Sequence, residues 1–260
     1  MVNPLAQPML FWEVFFLVVC RVGAALMVAP PFGGRSIPAQ LKIAFILLCS
    51  LALLPVVSAN LTPIPSTAPE YLAQVARELL LGGLIGFAVL LLFASFEAAG
   101  HLAGLQLGFS LANIINPLTA SNASLLDQFY SLLAMLIFLT INGHHALLLG
   151  IRATFELVPL GSTAAALPPA PVLLGLGRDL FVIALRISLP LLATLLLTDV
   201  AMAIVARSVP QLNVFVVGMP AKLIAGFGML IITLPVVVAI MAQLLGNVGQ
   251  MVALLLRGVS

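Results

Sequence analysis

Long runs without a charged side chain are the feature that most restricts what this sequence can fold into. The longest extends from Leu223 to Leu256 and contains no Asp, Glu, Lys or Arg. The whole chain of 260 residues has only 10 basic and 8 acidic side chains, and its mean hydropathy is +1.26. A soluble domain carries about 25% charged residues because its surface faces water, whereas this chain carries 7%. The sequence therefore predicts an integral membrane protein.

Six hydrophobic stretches are long enough to span a membrane, since about 20 apolar residues cross roughly 30 Å of hydrocarbon. We predict spans at roughly Leu10–Ala29, Leu41–Val57, Leu79–Gly108, Leu125–Gly150, Val172–Ala206 and Val214–Leu256. Proline removes a backbone donor and fixes φ, which predicts loops at Pro30–Pro38, Leu61–Glu70 and Ser162–Pro171. As a straight helix, the uncharged run 223–256 would be ~50 Å long, so it must kink near Pro235, tilt, or pack against protein. The predicted fold class is an all-α integral membrane protein with about six long hydrophobic helices.

Several function classes find no support in the residues. The sequence contains no HExxH, GxSxG or GxxxxGK[ST] motif, so we predict neither an enzyme nor a bound cofactor. A net charge of +2 without a basic cluster gives no site for nucleic acid. Cys20 and Cys49 lie in apolar runs, where cysteine packs as a small hydrophobe. His144 and His145 are adjacent and would point about 100° apart on a helix, so no metal site is predicted.

Glycines recur at a spacing of four residues in the third hydrophobic stretch. Gly82 and Gly86 form one GxxxG pair, and Gly100, Gly104 and Gly108 form a double one. This spacing places the glycines of each set on one helix face, where another helix backbone can approach closely. The neighbouring helix belongs either to this chain or to a partner subunit.

A few charged residues lie within or at the ends of the apolar runs: Glu13, Arg21, Glu97, Arg186 and Asp199. A charge in lipid costs at least about 2.5–3.5 kcal/mol on insertion scales, so such residues normally face protein or water. They pair with one another or with neighbouring subunits, or lie at interfaces, or they form a proton relay. Arg152 and Glu156, spaced i,i+4, are predicted to pair at a helix end.

The stretch from Gly104 to Tyr130 changes from glycine-spaced helix to a segment rich in Asn, Ser and Thr before an apolar run resumes. Irregular backbone at membrane depth is tolerated only where it is buried in protein or lines a watery cavity. The apolar residues within it, Phe109, Leu111, Ile114 and Ile115, could form a plug, because hydrophobic constrictions close pores by dewetting. The alternative is a plain connection outside the membrane.

Four segments in order resemble the FliR/SctT family of type III secretion export-gate proteins. They are RVGAALMVAPPFGGRSIPAQLK (Arg21–Lys42), RELLLGGLIGF (Arg77–Phe87), NGHHALLLGIRATFELVP (Asn142–Pro159) and RSVPQLNVFVVGMPAKLIAGF (Arg207–Phe227). The last segment is the most specific. The resemblance implies a subunit that forms, with FliP and FliQ, the channel through which unfolded flagellar proteins leave the cell.

The resemblance also implies an organisation in two portions. Residues 1–165 would be FliP-like and would include a plug loop at 108–122, whereas residues 166–260 would be a FliQ-like helical hairpin. The residues expected in the plug are Phe109, Ser110, Leu111, Asn113, Ile114, Ile115, Asn116 and Pro117. Family members usually have Asp-Pro where this chain has Asn116-Pro117, so a role that needs a carboxylate there is not expected.

The hairpin implied by the resemblance would turn at Arg207–Lys222, near the partner FlhB. The residues expected to face that partner are Arg207, Pro210, Gln211, Asn213, Phe215, Pro220 and Lys222. The location implied is the flagellar basal body in the bacterial inner membrane. Two alternatives are the homologous gate of a virulence injectisome and a small-solute transporter, which would show inverted repeats.

Overall fold

The structure is a computed structural model, and it describes residues 8–34, 37–58, 67–109, 124–162, 170–209 and 213–257. All regular secondary structure in these ranges is helical. The helices are α1 (Pro8–Val28), α2 (Pro30–Gly33), α3 (Ala39–Ser58), α4 (Ala68–Leu107), α5 (Leu125–Thr140), α6 (Gly143–Leu157), α7 (Ala170–Ser208), α8 (Val214–Gly246) and α9 (Val248–Arg257).

The predicted fold class is confirmed. Helices α1, α3, α4, α7 and α8 are each long and apolar enough to cross a membrane. Helices α5 and α6 would make a sixth span if they are taken together as one broken span. The chain is therefore an all-α integral membrane protein.

Two helix starts differ from the prediction. Helix α4 begins at Ala68 and not near Leu79, because Pro69 lies in its first turn and Glu70 places a negative charge at the positive end of the helix. The predicted loop Pro30–Pro38 contains the short helix α2, which has proline in its first turn. Proline suits that position because the first backbone N–H groups of a helix have no partner within it.

Two predicted spans are interrupted. The span predicted at Leu125–Gly150 is broken between α5 and α6, where Asn142 has a left-handed φ of 57°. The span predicted to Leu256 ends at Gly246, and α9 follows after Asn247. Pro235 does not end α8, which continues through it as a helix.

The chain divides into two compact units, each described separately. The first unit contains residues 1–91, 142–177 and 246–260, and the second contains 92–141 and 178–245. Each unit combines segments from both sides of residue 165. The predicted division into FliP-like and FliQ-like portions rests on sequence resemblance. The two units are defined by contacts and do not test it, so the division stays a prediction.

The first unit is organised around Arg21 of α1, whose side chain is fully buried. Its Nε donates to Oε2 of Glu78 on α4 at 2.5 Å, and its Nη1 donates to the carbonyl oxygens of Thr154 and Val158 at 3.1 and 2.9 Å. The guanidinium carbon lies 4.2 Å from the ring centroid of Phe155. The Thr154 carbonyl also accepts from the backbone N–H of Val158 at 2.9 Å, so the arginine adds a second donor at the end of α6. Arg21 therefore joins α1, α4 and the carboxyl end of α6.

Glycines allow α1 and α4 to approach closely beside this ion pair. A Cβ added at Gly82 would collide with the carbonyl oxygen of Arg21, and one added at Gly86 would lie 2.5 Å from that of Ala25. In the same unit, Gly150 of α6 lies against Gly249 of α9. A Cβ added at Gly150 would be 3.3 Å from the Cα of Gly249. The GxxxG pair at 82 and 86 thus packs against a helix of the same chain.

We expect Gly82→Ala to lower the unfolding temperature of the purified protein, whereas Gly83→Ala should leave it unchanged or raise it. An added Cβ at Gly83 meets nothing within 4 Å, and alanine is favoured over glycine in a helix by about 1 kcal/mol. Circular dichroism in detergent would measure both variants. Equal effects of the two substitutions would contradict the close approach of α1 to α4.

We expect Glu78→Leu to lower the free energy of unfolding by about 3–5 kcal/mol, because it leaves a buried arginine without its counter-ion. The double variant Arg21→Met/Glu78→Leu should regain much of that loss, since neither charge is then buried alone. Denaturant unfolding in detergent would measure both, with Glu97→Leu on the exposed face of α4 as the matched control. A single variant as stable as the control would show that the pair does not organise the unit.

Candidate functional site

The site begins where α4 ends, at the start of the segment predicted to be a plug. Gly108 has a positive φ of 86°, a conformation that glycine adopts without strain. The N–H of Gly108 donates to Leu105 O at 3.1 Å, and the N–H of Phe109 donates to Gly104 O at 3.0 Å. This pattern is a Schellman motif, which satisfies carbonyls at a helix end. The last glycine of the predicted packing series therefore ends the helix.

Ser124, the N-cap of α5, also lies at this end of α4. The Ser124 hydroxyl accepts from Leu126 N–H at 3.3 Å, and Ser124 N–H donates to Asp127 Oδ2 at 2.7 Å. This reciprocal arrangement is a capping box. The Nδ1 atom of His101 on α4 lies 3.2 Å from the same carboxylate oxygen. The start of α5 is thus attached to α4 by a buried carboxylate.

Two glycines of α4 make room for this attachment. A Cβ added at Gly100 would lie 2.6 Å from the carbonyl oxygen of Leu126, and one added at Gly104 would collide with the Ser124 hydroxyl. Phe109 and Ser124, the described residues on either side of 110–123, are consequently both held on the last turns of α4. The predicted helix limits on either side of the plug segment, at Gly108 and Leu125, are confirmed within a residue.

Phe109 is the described member of the predicted sealing residues. It packs against an apolar cluster of α4, α5, α7 and α8 that contains Leu107, Leu195 and Leu230. Its ring lies edge-on to that of Phe227, with centroids 6.2 Å apart. This position holds the beginning of the segment. The other predicted plug residues, Ser110, Leu111, Asn113, Ile114, Ile115, Asn116 and Pro117, lie outside the described residues.

A polar cluster lies beside this point. Lys222 Nζ of α8 is 2.7 Å from Asp199 Oδ1 of α7, and Gln106 Nε2 of α4 donates to Asp199 Oδ2 at 3.2 Å. The three side chains border a cleft of about 640 Å³, whose other walls include Leu107, Met202 and Met219. Asp199 is 40% exposed and Lys222 is 24% exposed. The cluster therefore ties the end of α4 to both long helices of the hairpin.

The hairpin connection is shorter than predicted. Arg207 lies in the last turn of α7, and Pro220 and Lys222 lie inside α8, so the predicted turn Arg207–Lys222 is mostly helical. The apolar run from Val214 continues the helix, and a proline in an apolar helix is tolerated where neighbouring groups satisfy the freed carbonyl. Asn213 precedes α8, and its carbonyl oxygen accepts from Val216 N–H at 3.0 Å. Phe215 is in the first turn of α8, and Pro210 and Gln211 lie outside the described residues.

Sequence reasoning missed several residues of these clusters. Glu78, Gln106 and Asp127 were not singled out, although Ser124 and Asp127 form the S-x-x-D spacing of a capping box, which could have revealed the start of α5. The predicted pair Arg152–Glu156 is confirmed, with Nε and Oε1 3.6 Å apart. No group of three or more metal-ligating His, Cys, Asp or Glu side chains occurs among the described residues. The site thus offers anchoring of helix ends and ion pairing between helices.

Comparisons with known proteins agree with this picture. Residues 12–248 match the family model described as Bacterial export proteins, family 1. The chain is 34% identical over 226 residues to the flagellar biosynthetic protein FliR of Bacillus subtilis (strain 168), covering 86% of each chain. It is 30% identical over 254 residues to that of Escherichia coli (strain K12), covering 97% of each. The corresponding protein of Aquifex aeolicus (strain VF5) is 30% identical over 224 residues, covering 86% of each.

Long apolar helices, a buried ion pair and glycine-mediated helix contacts define a polytopic helical membrane protein. The family match covers most of the chain, and the curated relatives are matched along nearly their whole length. The chain belongs to the bacterial export proteins, family 1. The resemblance to FliR drawn from four sequence segments is confirmed.

We expect Asp199 and Lys222 to be energetically coupled. In a double-mutant cycle of Asp199→Asn and Lys222→Gln, the interaction should change the free energy of unfolding by about 0.5–3 kcal/mol, as found for contacting residues. The exposed pair Arg152–Glu156 is the matched control, and it should give only about 0.3–0.5 kcal/mol. Unfolding in detergent measures both cycles. A coupling free energy no larger than that of the control would show that the polar cluster does not stabilise the contact between these helices.

Proposed function

We propose that this chain is a subunit of the flagellar protein export gate, in which it forms with FliP and FliQ the channel for unfolded flagellar proteins. The observation that carries the proposal is the match of residues 12–248 to an export family, together with relatives named as flagellar biosynthetic proteins. Those names favour the flagellar gate over the homologous gate of an injectisome. The proposed location is the flagellar basal body in the bacterial inner membrane.

The unburied surface of the hairpin supports an assembly with other subunits. Only 28% of the most apolar stretch of α7 and 17% of that of α8 is buried, compared with 56% in α4. At 1.5 Å per residue, α7 and α8 are ~58 and ~50 Å long, which exceeds the roughly 30 Å of a hydrocarbon core. Part of their apolar surface must therefore be covered by protein. In the proposed assembly, FliP and FliQ subunits cover it, and FlhB lies near the connection between α7 and α8.

The anchoring of segment 110–123 supports its role as a plug. The described residues that flank it lie on the last turns of α4, fixed by the Schellman motif at Gly108 and by the capping box at Ser124. Such fixed ends allow a loop to hold a defined position. Leu111, Ile114 and Ile115 would supply the apolar constriction that closes the channel by dewetting. A plain connection between helices remains the alternative function of this segment.

The plug proposal is tested by replacing Asn113–Asn122 with a glycine–serine sequence of the same length. We expect cells that carry this variant to leak ions and small solutes, because Ile114 and Ile115, two of the three residues of the apolar constriction, are lost while both anchors remain. Dye uptake and membrane potential measure the leak. The control is the same replacement at residues 163–169, which should leave the membrane tight. Unchanged permeability of the plug variant would refute the plug.

The assembly is tested by the mass of the complex that copurifies with tagged protein from gently solubilised membranes. A large complex that contains this chain together with FliP and FliQ is the expected result. A stable monomer or homodimer would contradict the gate and favour the small-solute transporter. This measurement does not depend on the plug segment, so the two proposals can fail separately.

A further inference from the structure

A second pocket lies in the first unit, where α1 ends and α3 begins. It has a volume of about 340 Å³, which is in the range of pockets that hold small ligands. Leu26 and Ile46 form its buried floor, and Met27 and Leu41 form an exposed rim. Phe32 and Phe45 are stacked at one side, with ring centroids 5.2 Å apart. The pocket is open and apolar, as an acyl chain requires.

One charged residue borders this pocket, Lys42 of α3. Its ammonium donates to the carbonyl oxygens of Gly33 and Gly34 at 3.2 and 2.7 Å. An ammonium has three donors, and the third has no acceptor among the residues that the structure describes. No carboxylate there lies within ion-pair distance of Lys42 either. A held cation with an unused donor is suited to bind an anionic oxygen.

The surrounding charge is also positive. From residue 14 to residue 69 the sequence contains no Asp or Glu, while it contains Arg21, Arg35 and Lys42. The charge of Arg21 is already neutralised by Glu78. The sequence between residues 14 and 69 therefore carries no acidic residue to offset its remaining basic ones, of which Lys42 lies in the described part. An anionic ligand is favoured over a neutral one.

The position of the pocket along α1 and α3 indicates its depth in the membrane. Helices α1 and α3 are each of membrane-spanning length and apolarity, so the connection between them lies at a membrane surface. Basic pockets between spanning helices at that level bind lipid headgroups. We propose that this pocket binds an anionic phospholipid, with one acyl chain against Leu26, Phe45 and Ile46 and the phosphate bonded to the Lys42 ammonium.

The proposal is tested with the full-length chain, purified with the proteins that accompany it and placed in nanodiscs of equal parts phosphatidylglycerol and phosphatidylcholine. Either lipid carries a photoactivatable acyl chain, and mass spectrometry identifies the labelled residues. We expect phosphatidylglycerol to label pocket residues about fivefold more than phosphatidylcholine does. A factor of this size is the change in affinity that one basic side chain gives near anionic lipid. Lys42→Gln should abolish that preference, whereas Lys42→Arg should retain it. Arg178→Gln removes an exposed cation elsewhere on the chain and should change nothing.

Three results would overturn the proposal. Equal labelling by both lipids in the unaltered protein would mean that the pocket takes an acyl chain without choosing a headgroup. No labelling of the pocket would mean that protein covers it in the complex. A preference that survives in Lys42→Gln would place the selecting charge elsewhere. Each result is independent of whether the protein exports flagellar subunits.

Discussion

A fully buried arginine is the interaction on which the first compact unit depends. Burying one charge without a partner costs several kcal/mol, and Arg21 is stabilised there because Glu78 accepts from its Nε and the carbonyl groups of Thr154 and Val158, at the carboxyl end of α6, accept from its Nη1. Gln74 in turn donates to the other carboxylate oxygen of Glu78 at 2.8 Å. The guanidinium is planar and presents several donors in fixed directions. It therefore sets how α1, α4 and α6 meet, which a purely apolar contact would leave less defined.

The glycines of α4 act together with such polar contacts in both units. In the first unit, Gly82 and Gly86 bring the backbone of α1 close enough for Arg21 to reach Glu78. In the second unit, Gly100 and Gly104 bring the start of α5 close enough for Asp127 to reach His101. Apolar side chains alone give little driving force between helices in lipid, because lipid tails are equally apolar. Close backbone approach combined with a few polar contacts supplies the specificity.

The described residues on either side of segment 110–123 are held by several contacts. Its beginning is held by Phe109 in an apolar cluster and by the polar group of Gln106, Asp199 and Lys222 nearby. Its end is held by the Ser124–Asp127 capping box. A movement of α7 or α8 would therefore displace the end of α4, which directly precedes the segment.

The sequence by itself determined the fold class, the approximate spans and the family, because hydrophobic length and short motifs are local properties of the chain. It also located the end of α4 and the start of α5 to within a residue, since Gly108 and the start of the apolar run at Leu125 are local signals. It did not reveal that Glu78 is the partner of Arg21, because 57 residues separate them and only the packing of α1 on α4 brings them together. The same holds for Asp199 with Gln106, and for Lys42 beside a pocket. Pairing of distant residues was decided by tertiary structure, because the cost of burying a charge or leaving a donor unsatisfied depends on which helices become neighbours.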